Sequence, residues 1–471
     1  MKNLNRKKKL FQFVFFFLDA LLLWVSFNVS HYLWIKSIHS QWALIPEMAV
    51  IWGVFLMTGF LASAYDLWSR EWQVSIAERF LVSVVPGILI SISVTFILPA
   101  RYEGGLLGRG PFLSGLLIFS VLGYLSRKLI FHFFYHQNSG YRILFISSLK
   151  AADDFFSDLQ KIPQRIAMTL LYDPAIKKSS RENREMLQKA EACRIVEKAE
   201  SWNTLSDYNE RNFTAVVLGL NTVFPQDIVE RLMAMRMRGD AIYDITEFYE
   251  MMFQKIPVFH IREGWFILSS GFNILHEPFR IKIKRAFDIF LSVSMLVFSF
   301  PFWILAAIAI KLESSGPVFF SQERTGINDR PFVLHKFRSM RKDAEKNGAK
   351  WASVNDARVT RIGKIIRATR IDELPQLWNV LKGDMSFIGP RPERPVFIRD
   401  LEKQIPYYNL RHLVKPGITG WAQVMYPYGA SVEDARQKLE YDLYYIKNFS
   451  FVLDMDIVLK TIRIVLFGKG R

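Results

Sequence analysis

Four long apolar runs crowd the first quarter of the chain, at Leu10–Ile35, Trp42–Ala64, Phe80–Leu98 and Phe112–Phe134. Each is close to the roughly 20 residues that a helix needs to cross a bilayer, which predicts a four-helix membrane region over residues 1–138. Asp19, inside the first run, reads as a packed polar contact rather than part of a site. Lys2, Arg6, Lys7, Lys8 and Lys9 precede the first run, and Arg127 and Lys128 lie near the end of the fourth. The positive-inside bias places both ends of this region in the cytoplasm. The first run is longer than the apolar core of a signal peptide and no clean small-residue cleavage site follows it, so it reads as a retained anchor.

From Tyr141 the pattern shortens. "YRILFIS", "TAVVLGL" and "AIYDI" are short apolar runs of strand type; "AADDFFSDLQKI" and "PQDIVERLMAMRMR" between them have helical spacing. Strands alternating with helices predict an open parallel sheet covered by helices, a Rossmann-like α/β domain over residues 139–278. Its first strand–helix turn, "FISSLKAADDF", has no glycine, so the dinucleotide fingerprint is missing. The strongly polar "KKSSRENREMLQKAEA" reads as a surface helix or a loop.

A fifth apolar run occupies residues 286–310, with Asp288 near its start and Pro301 past its middle. Lys282, Lys284 and Arg285 precede it and Lys311 follows, a symmetry that disfavours a simple span. Proline removes a helix hydrogen bond and bends the helix. Composition leaves two arrangements open, a kinked span and a helix that enters the membrane and returns. Beyond it, to Arg471, helical and loop patterns mix.

Composition sharpens this picture in three respects. A mean hydropathy just above zero alongside 22% charged residues fits membrane segments joined to water-soluble domains. The net charge is +17, which suits nucleic acid, an anionic membrane face or phosphorylated substrates. The tail from Ile281 holds 31 Lys and Arg against 19 acids and carries most of that excess. The single Cys193 excludes an intramolecular disulfide and a cysteine zinc site.

Three clusters in the basic tail could carry chemistry. In "GPVFFSQERTGINDRPFVLHKFRSM", Arg324, Lys336 and Arg338 either surround a phosphate or decorate a hairpin with solvated charge. In "RVTRIGKIIRATRIDEL", basic residues at 358, 361, 364, 367 and 370 fall about one helical turn apart, either an anion-binding stripe or a solvated face. In "RIDELPQLWNVLKGDMSFIGPRPERP", Asp372 and Glu373 are adjacent, so on a helix they point about 100° apart, unlike the facing pair of a glycosidase. Adjacent acids can instead divide labour, one as a nucleophile and one as a ligand to a hard cation such as Mg²⁺. Nearby arginines are expected to keep Asp372 ionised, and "GPRPERP" forms a rigid turn that fixes Arg391. A structural salt-bridge cluster accounts for the same residues equally well. Asp454-Met-Asp456 reads as acids at the start of an apolar helix rather than a metal motif, and His335 and His412 as packing or phosphate contacts.

The tail resembles the bacterial sugar transferases, monotopic polyprenyl-phosphate phosphoglycosyl transferases. "KRAFD", "GPVFFSQERTG", "HKFRSM", "RIDELPQLWNVLKGDMSFIGPRP", "RHLVKPGITGWAQV" and "YDLYYIKNFS" occur in the family's order between about Lys284 and Lys460. Four spans and a nucleotide-binding-like middle domain are similar to the large members, which start exopolysaccharide, capsule or O-antigen units. The resemblance implies an α-rich mixed catalytic domain over residues 279–471, with residues 286–310 as a re-entrant helix bent at Pro301.

It further implies that Asp372 attacks the β-phosphate of a UDP-sugar, UMP leaves, and undecaprenyl phosphate takes the phosphosugar from the carboxylate. Glu373 would hold Mg²⁺. Lys336, Arg338, Arg367, Arg391 and Arg324 would line the phosphates, and Lys284 and Arg285 would be the membrane-face pair. The implied location is the cytoplasmic side of the bacterial inner membrane. Nucleic acid is not expected as a partner, and the oligomeric state is open, a homodimer included. The resemblance does not name the sugar; glucose, galactose and N-acetylated sugars all fit. Two departures stand out: Phe300 rather than serine precedes Pro301, and "MYPYGAS" replaces the Asn-Gly-Arg that often follows "GWAQV". A reading from another class is a membrane scaffold whose tail binds lipid phosphates without turnover.

Overall fold

The computed structural model describes residues 2–35, 46–61, 76–97, 109–137, 141–147, 155–156, 158–159, 166–172, 185, 188, 193, 195–207, 213–219, 224–261, 264–275, 277–341, 344, 356–426, 429 and 431–467. They form two compact units, residues 1–244 and 245–471. The expected polar segment 177–192 and the first strand–helix turn, residues 148–154, lie mostly or wholly outside the described residues, as does most of the helix expected over 151–162.

In the first unit each of the four apolar runs carries a helix: α1 (Lys2–Ile35), α2 (Pro46–Leu61), α3 (Ile76–Ile97) and α4 (Arg109–Gln137). Phe13–Leu33 and Gly110–Ile130 are long and apolar enough to cross a membrane, and Ala49–Gly59 is a shorter apolar stretch. Leu23, Phe27, Ile51, Phe55, Phe80 and Phe119 form the shared core of the four helices. Asp19 is buried and accepts two hydrogen bonds from Arg127, at 2.9 and 2.8 Å. That bidentate pair satisfies both charges inside an apolar bundle, in keeping with the structural reading of Asp19.

The same unit contains a five-stranded sheet of order β3-β2-β1-β4-β5, with every pairing parallel. Its strands are β1 (Tyr141–Ser147), β2 (Ile166–Tyr172), β3 (Val196–Ser201), β4 (Ala215–Leu218) and β5 (Ile242–Asp244). Ile143 to Ile146 on the central strand are fully buried, as expected of a parallel strand covered on both faces. Helix α5 (Gln226–Met237) buries Ile228, Leu232 and Met235 in the core that holds Leu144, Ile146 and Val216.

The units divide at Asp244/Ile245, ahead of the boundary at 278 drawn from the strand–helix alternation. The physical reason is the destination of the apolar residues that follow. Ile256 and Val258 pack with Ile398, Leu401, Ile405, Tyr408, Leu439 and Leu443, and Trp421 Nε1 donates to Gln254 O at 3.0 Å. Helix α6 (Ile245–Phe253) opens this second unit. Its longest element is α7 (Pro278–Glu313), 36 residues that continue through Pro301. Val297, Phe298, Phe300 and Leu305 in its middle are exposed, whereas Asp288, Ser292, Ala306 and Ile310 toward its ends are buried.

Candidate active site

Three short elements place the candidate residues of the second unit. A hairpin of β6 (Phe319–Thr325) and β7 (Pro331–Phe337) pairs Phe320 with Lys336. Helix α8 (Arg361–Ala368), N-capped by the Thr360 hydroxyl on Gly363 N, presents Arg367. After it the chain turns through Arg370, whose φ of 58° is left-handed, into a single 3₁₀ turn, Ile371–Glu373. The adjacent acids therefore sit on a tight turn between helices, not within one. Helix α9 (Gln376–Lys382) follows, and Asn379 locks it to the hairpin. Its Nδ2 donates to Val333 O at 2.7 Å and its Oδ1 accepts from His335 N at 3.2 Å.

Glu373 is enclosed by cations. Its Oε1 lies 2.9 Å from Arg391 Nη2, 3.5 Å from Lys336 Nζ and 3.5 Å from Arg370 Nη1. Arg391 is itself held on two further sides: its Nη1 donates to Gln423 Oε1 at 3.1 Å, and Arg411 Nη2 donates to its carbonyl at 3.0 Å. Arg411 is buried and paired with Asp442 at 2.9 Å. The Gly-Pro-Arg-Pro turn is fixed from below by strands β8 (Ser386–Ile388) and β9 (Gly417–Thr419), which pair in parallel, and by Gly417 N donating to Pro390 O at 2.9 Å.

Asp372 is as buried as Glu373, yet its carboxylate makes no hydrogen bond or ion pair with another described residue. The two acids consequently titrate in opposite directions. Burial alone would raise Glu373, but Arg391, Lys336 and Arg370 outweigh it and hold that carboxyl well below the ordinary range. Burial raises Asp372, and the Glu373 charge raises it further; Lys336, Arg367 and Arg370 oppose this without reversing it. The nearby arginines favour the ionised form of Asp372, as expected, while burial and the neighbouring Glu373 charge act against them and set the net direction of its shift. Burial also lowers Lys336, against the pull of Glu373.

The other expected residues separate into two groups. Arg367 belongs near the dyad: its charge acts on Asp372, and its Nε donates to Ser339 Oγ at 2.8 Å. Arg324 acts on Lys336 while donating to Pro392 O at 3.1 Å and Gln322 Oε1 at 2.7 Å, so it braces the Arg391 turn. Arg338 does not join them. It is buried and donates to Ser315 O at 2.9 Å and Ser314 O at 2.8 Å. That spends its guanidinium on carbonyls at the C-terminal end of α7, where a helix leaves acceptors unpaired.

Lys284 and Arg285, expected as the membrane-face pair, make contacts within the second unit. Lys284, its side chain 9% exposed, pairs with the buried Asp454 at 2.9 Å, and Arg285 donates to Leu381 O at 2.7 Å, at the end of α9. Pro301 alone of that group lies in the exposed middle of α7. Asp454 also accepts from Tyr445 at 2.9 Å, which agrees with its reading as a structural acid. His335 Nδ1 pairs with Ser321 Oγ at 3.0 Å. His412 Nδ1 lies 2.5 Å from Asp329 Oδ1, and these two with Glu402 bring three ligand atoms within 4.8 Å of one another, a grouping that sequence spacing does not reveal.

Leu374, next to the dyad, packs against two apolar clusters that involve residues of α7. Ala306 and Ile310 form one apolar cluster with Phe337 and Ile366, and Leu374 packs against it. Phe287, Leu291 and the same Leu374 pack against the cluster of Leu377, Phe387 and Tyr445. Sequence reasoning counted Arg370 in the basic stripe without giving it a place at the dyad, and missed Arg411 and Gln423. Those two lie in "RHLVKPGITGWAQV", so the motif marked the region but not which of its side chains brace the dyad.

Residues 279–468 match the family described as Bacterial sugar transferase. The chain is 48% identical over 229 residues to "UDP-N-acetylgalactosamine-undecaprenyl-phosphate N-acetylgalactosaminephosphotransferase" of Aeromonas hydrophila, covering 49% of this chain and 53% of that protein. It is 46% identical over 193 residues to "Undecaprenyl-phosphate glucose phosphotransferase" of Komagataeibacter xylinus, covering 40% of this chain and 36% of that one. It is 46% identical over 196 residues to "Exopolysaccharide production protein PSS" of Rhizobium leguminosarum bv. phaseoli, covering 40% of this chain and 98% of that protein. The matched segment thus spans about half of the first relative and about a third of the second.

Proposed function

We propose, from the premise that this chain belongs to the bacterial sugar transferase family, that it moves a sugar 1-phosphate from a UDP-sugar to undecaprenyl phosphate. The observation that carries this reading is the asymmetry of the dyad. Glu373 is clamped by three cations, while Asp372 beside it is buried and unpaired among the described residues. A carboxylate oxygen of Asp372 attacks the β-phosphorus; the bond from that phosphorus to the bridging oxygen breaks, and UMP leaves with the electron pair. An oxygen of undecaprenyl phosphate then attacks the same phosphorus, and the aspartate oxygen leaves as a carboxylate. No net proton is needed in either half. Arg391, Lys336 and Arg367 balance the charge of the phosphates that approach.

Two adjacent carboxylates on one turn fit Mg²⁺, which takes one or two protein carboxylates and completes its shell with phosphate oxygens and water. Glu373, held ionised, would bind it, and the ion would supply charge neutralisation at the diphosphate. The relatives' names support undecaprenyl phosphate as acceptor and both hexoses and N-acetylhexosamines as cargo. The experiment is a panel of UDP-glucose, UDP-galactose and UDP-N-acetylgalactosamine offered to membranes containing the protein. UMP release with at least one donor, lost on stripping metal with EDTA and restored by Mg²⁺, is expected. Lipid binding with no UMP from any donor would leave only a scaffold.

The tail works on the cytoplasmic face of the inner membrane, with residues 286–310 entering and leaving by that face and residues 1–138 anchoring the chain through four spans. The packing of Leu374 against clusters that hold both halves of α7 supports this. Single cysteines near Lys284 and near Glu313, in a Cys193→Ser background, are expected to resist an impermeant thiol reagent in intact cells. Labelling at only one of them would establish a span.

A further inference from the structure

Gln423 sits in a position that the reaction scheme above leaves without a task. It lies on the short helix α10 (Trp421–Met425), which is immobilised by its neighbours. Trp421, Ala422 and Val424 are buried, and the Trp421 ring donates to Gln254 O. The orientation of the Gln423 amide follows from chemistry. A guanidinium carries only donors, so the atom 3.1 Å from Arg391 Nη1 is the amide oxygen. The amide nitrogen must then point the other way.

That nitrogen, Nε2, is buried and has no hydrogen-bond partner among the described residues. An unpaired buried donor is costly, and proteins keep few of them without a use. Its place supplies the use. The guanidinium that orients it also grips Glu373, so the free N–H₂ group is one residue removed from the dyad. Lys336, Arg367, Arg370 and Arg391 make the surroundings cationic. The acceptor such a site draws in is an anionic phosphoryl oxygen.

Resting on the proposed function, we infer that Gln423 Nε2 donates a hydrogen bond to a diphosphate oxygen of the nucleotide-sugar donor. Gln423 is in this sense a binding residue for the donor. Arg391 sets its direction, and Glu373, through Arg391, ties it to the same frame that holds the reactive carboxylates.

The test uses the full-length protein in detergent and UDP as the probe, with binding measured by calorimetry. Two variants separate a substrate contact from a merely structural one. Gln423→Met removes both ends of the amide. Gln423→Glu keeps an oxygen for Arg391 but replaces the donor with a negative charge. Both are expected to melt as the wild type does, and both to weaken UDP binding by at least about 10-fold, as the loss of a hydrogen bond to a charged group does. Gln423→Glu is expected to be the worse of the two. If Gln423→Glu binds UDP as well as the wild type, the residue serves only to hold Arg391 and the inference is overturned. Unchanged UDP binding in both variants, with KM for the UDP-sugar raised, would move the contact to the sugar and overturn the phosphate assignment. A wild-type protein that binds no UDP would instead sink the nucleotide-sugar reading itself, a result distinguishable from the others because it needs no variant.

Discussion

Asp372→Asn is expected to lose turnover by more than the ~10²–10⁴-fold that removal of a general base typically costs, because it removes the covalent route rather than a proton transfer. Asparagine keeps the size of the side chain but has no anionic oxygen to attack phosphorus. Asp372 makes no ion pair that the substitution would break among the described residues, and burial already disfavours its charge, so the neutral amide is expected to leave the fold intact. The corresponding change next door behaves differently. Glu373→Gln strips a charge from the centre of three cations, leaves them repelling one another, and is expected to slow both half-reactions and to lower thermal stability. A structural salt-bridge cluster predicts the reverse order, with Asp372→Asn losing stability and activity in proportion. Melting in detergent, measured beside UMP release, separates the two accounts.

Lys284→Met is expected to destabilise the second unit by about 3–5 kcal/mol, the cost of leaving a buried charge without its partner. Lys284 is almost fully buried, 2.9 Å from Asp454 and 3.6 Å from Asp288. Asp454 is 1% exposed and also accepts from Tyr445. Asp288 accepts from Phe387 N at 3.1 Å, which ties the start of α7 to β8 and so to the turn that carries Arg391. Methionine fills the space of the lysine stem without its charge. The double variant Lys284→Met/Asp454→Asn removes both charges and is expected to recover much of the loss. A solvent-facing or lipid-facing lysine would lose little in either case. Chemical denaturation of the detergent-solubilised protein checks this; a single variant as stable as the wild type would contradict the buried-pair account.

Lys284 also illustrates where the sequence stops being informative. Its charge and its place before an apolar run are legible, but its partner lies 170 positions away on the helix that begins at Phe451, and no local pattern points there. Arg338 carries the same lesson. Read as one of several cations around a phosphate, it instead serves the carbonyl end of α7, because direction of approach is decided by packing and not by charge. The strands with strong apolar runs, Tyr141–Ser147 and Ala215–Leu218, stand out from their neighbours, whereas Val196–Ser201, "VEKAES", is an edge strand with no buried residue and no periodic signal. Ile166–Tyr172 is apolar enough, yet it lies between uninformative polar stretches. The dyad itself was visible as two acids in a basic tail. Its asymmetry was not, since burial and the convergence of Lys336, Arg370 and Arg391 on one oxygen exist only in the fold.

The central claim is that a phosphosugar passes through Asp372. The direct measurement incubates the wild-type protein with a UDP-sugar radiolabelled at the β-phosphate and no lipid acceptor, then maps any label to peptides by mass spectrometry. The account predicts a stoichiometric burst of UMP and label on the peptide containing Asp372, discharged on adding undecaprenyl phosphate. UMP release that waits for the acceptor, with no labelled peptide at any time, would contradict it.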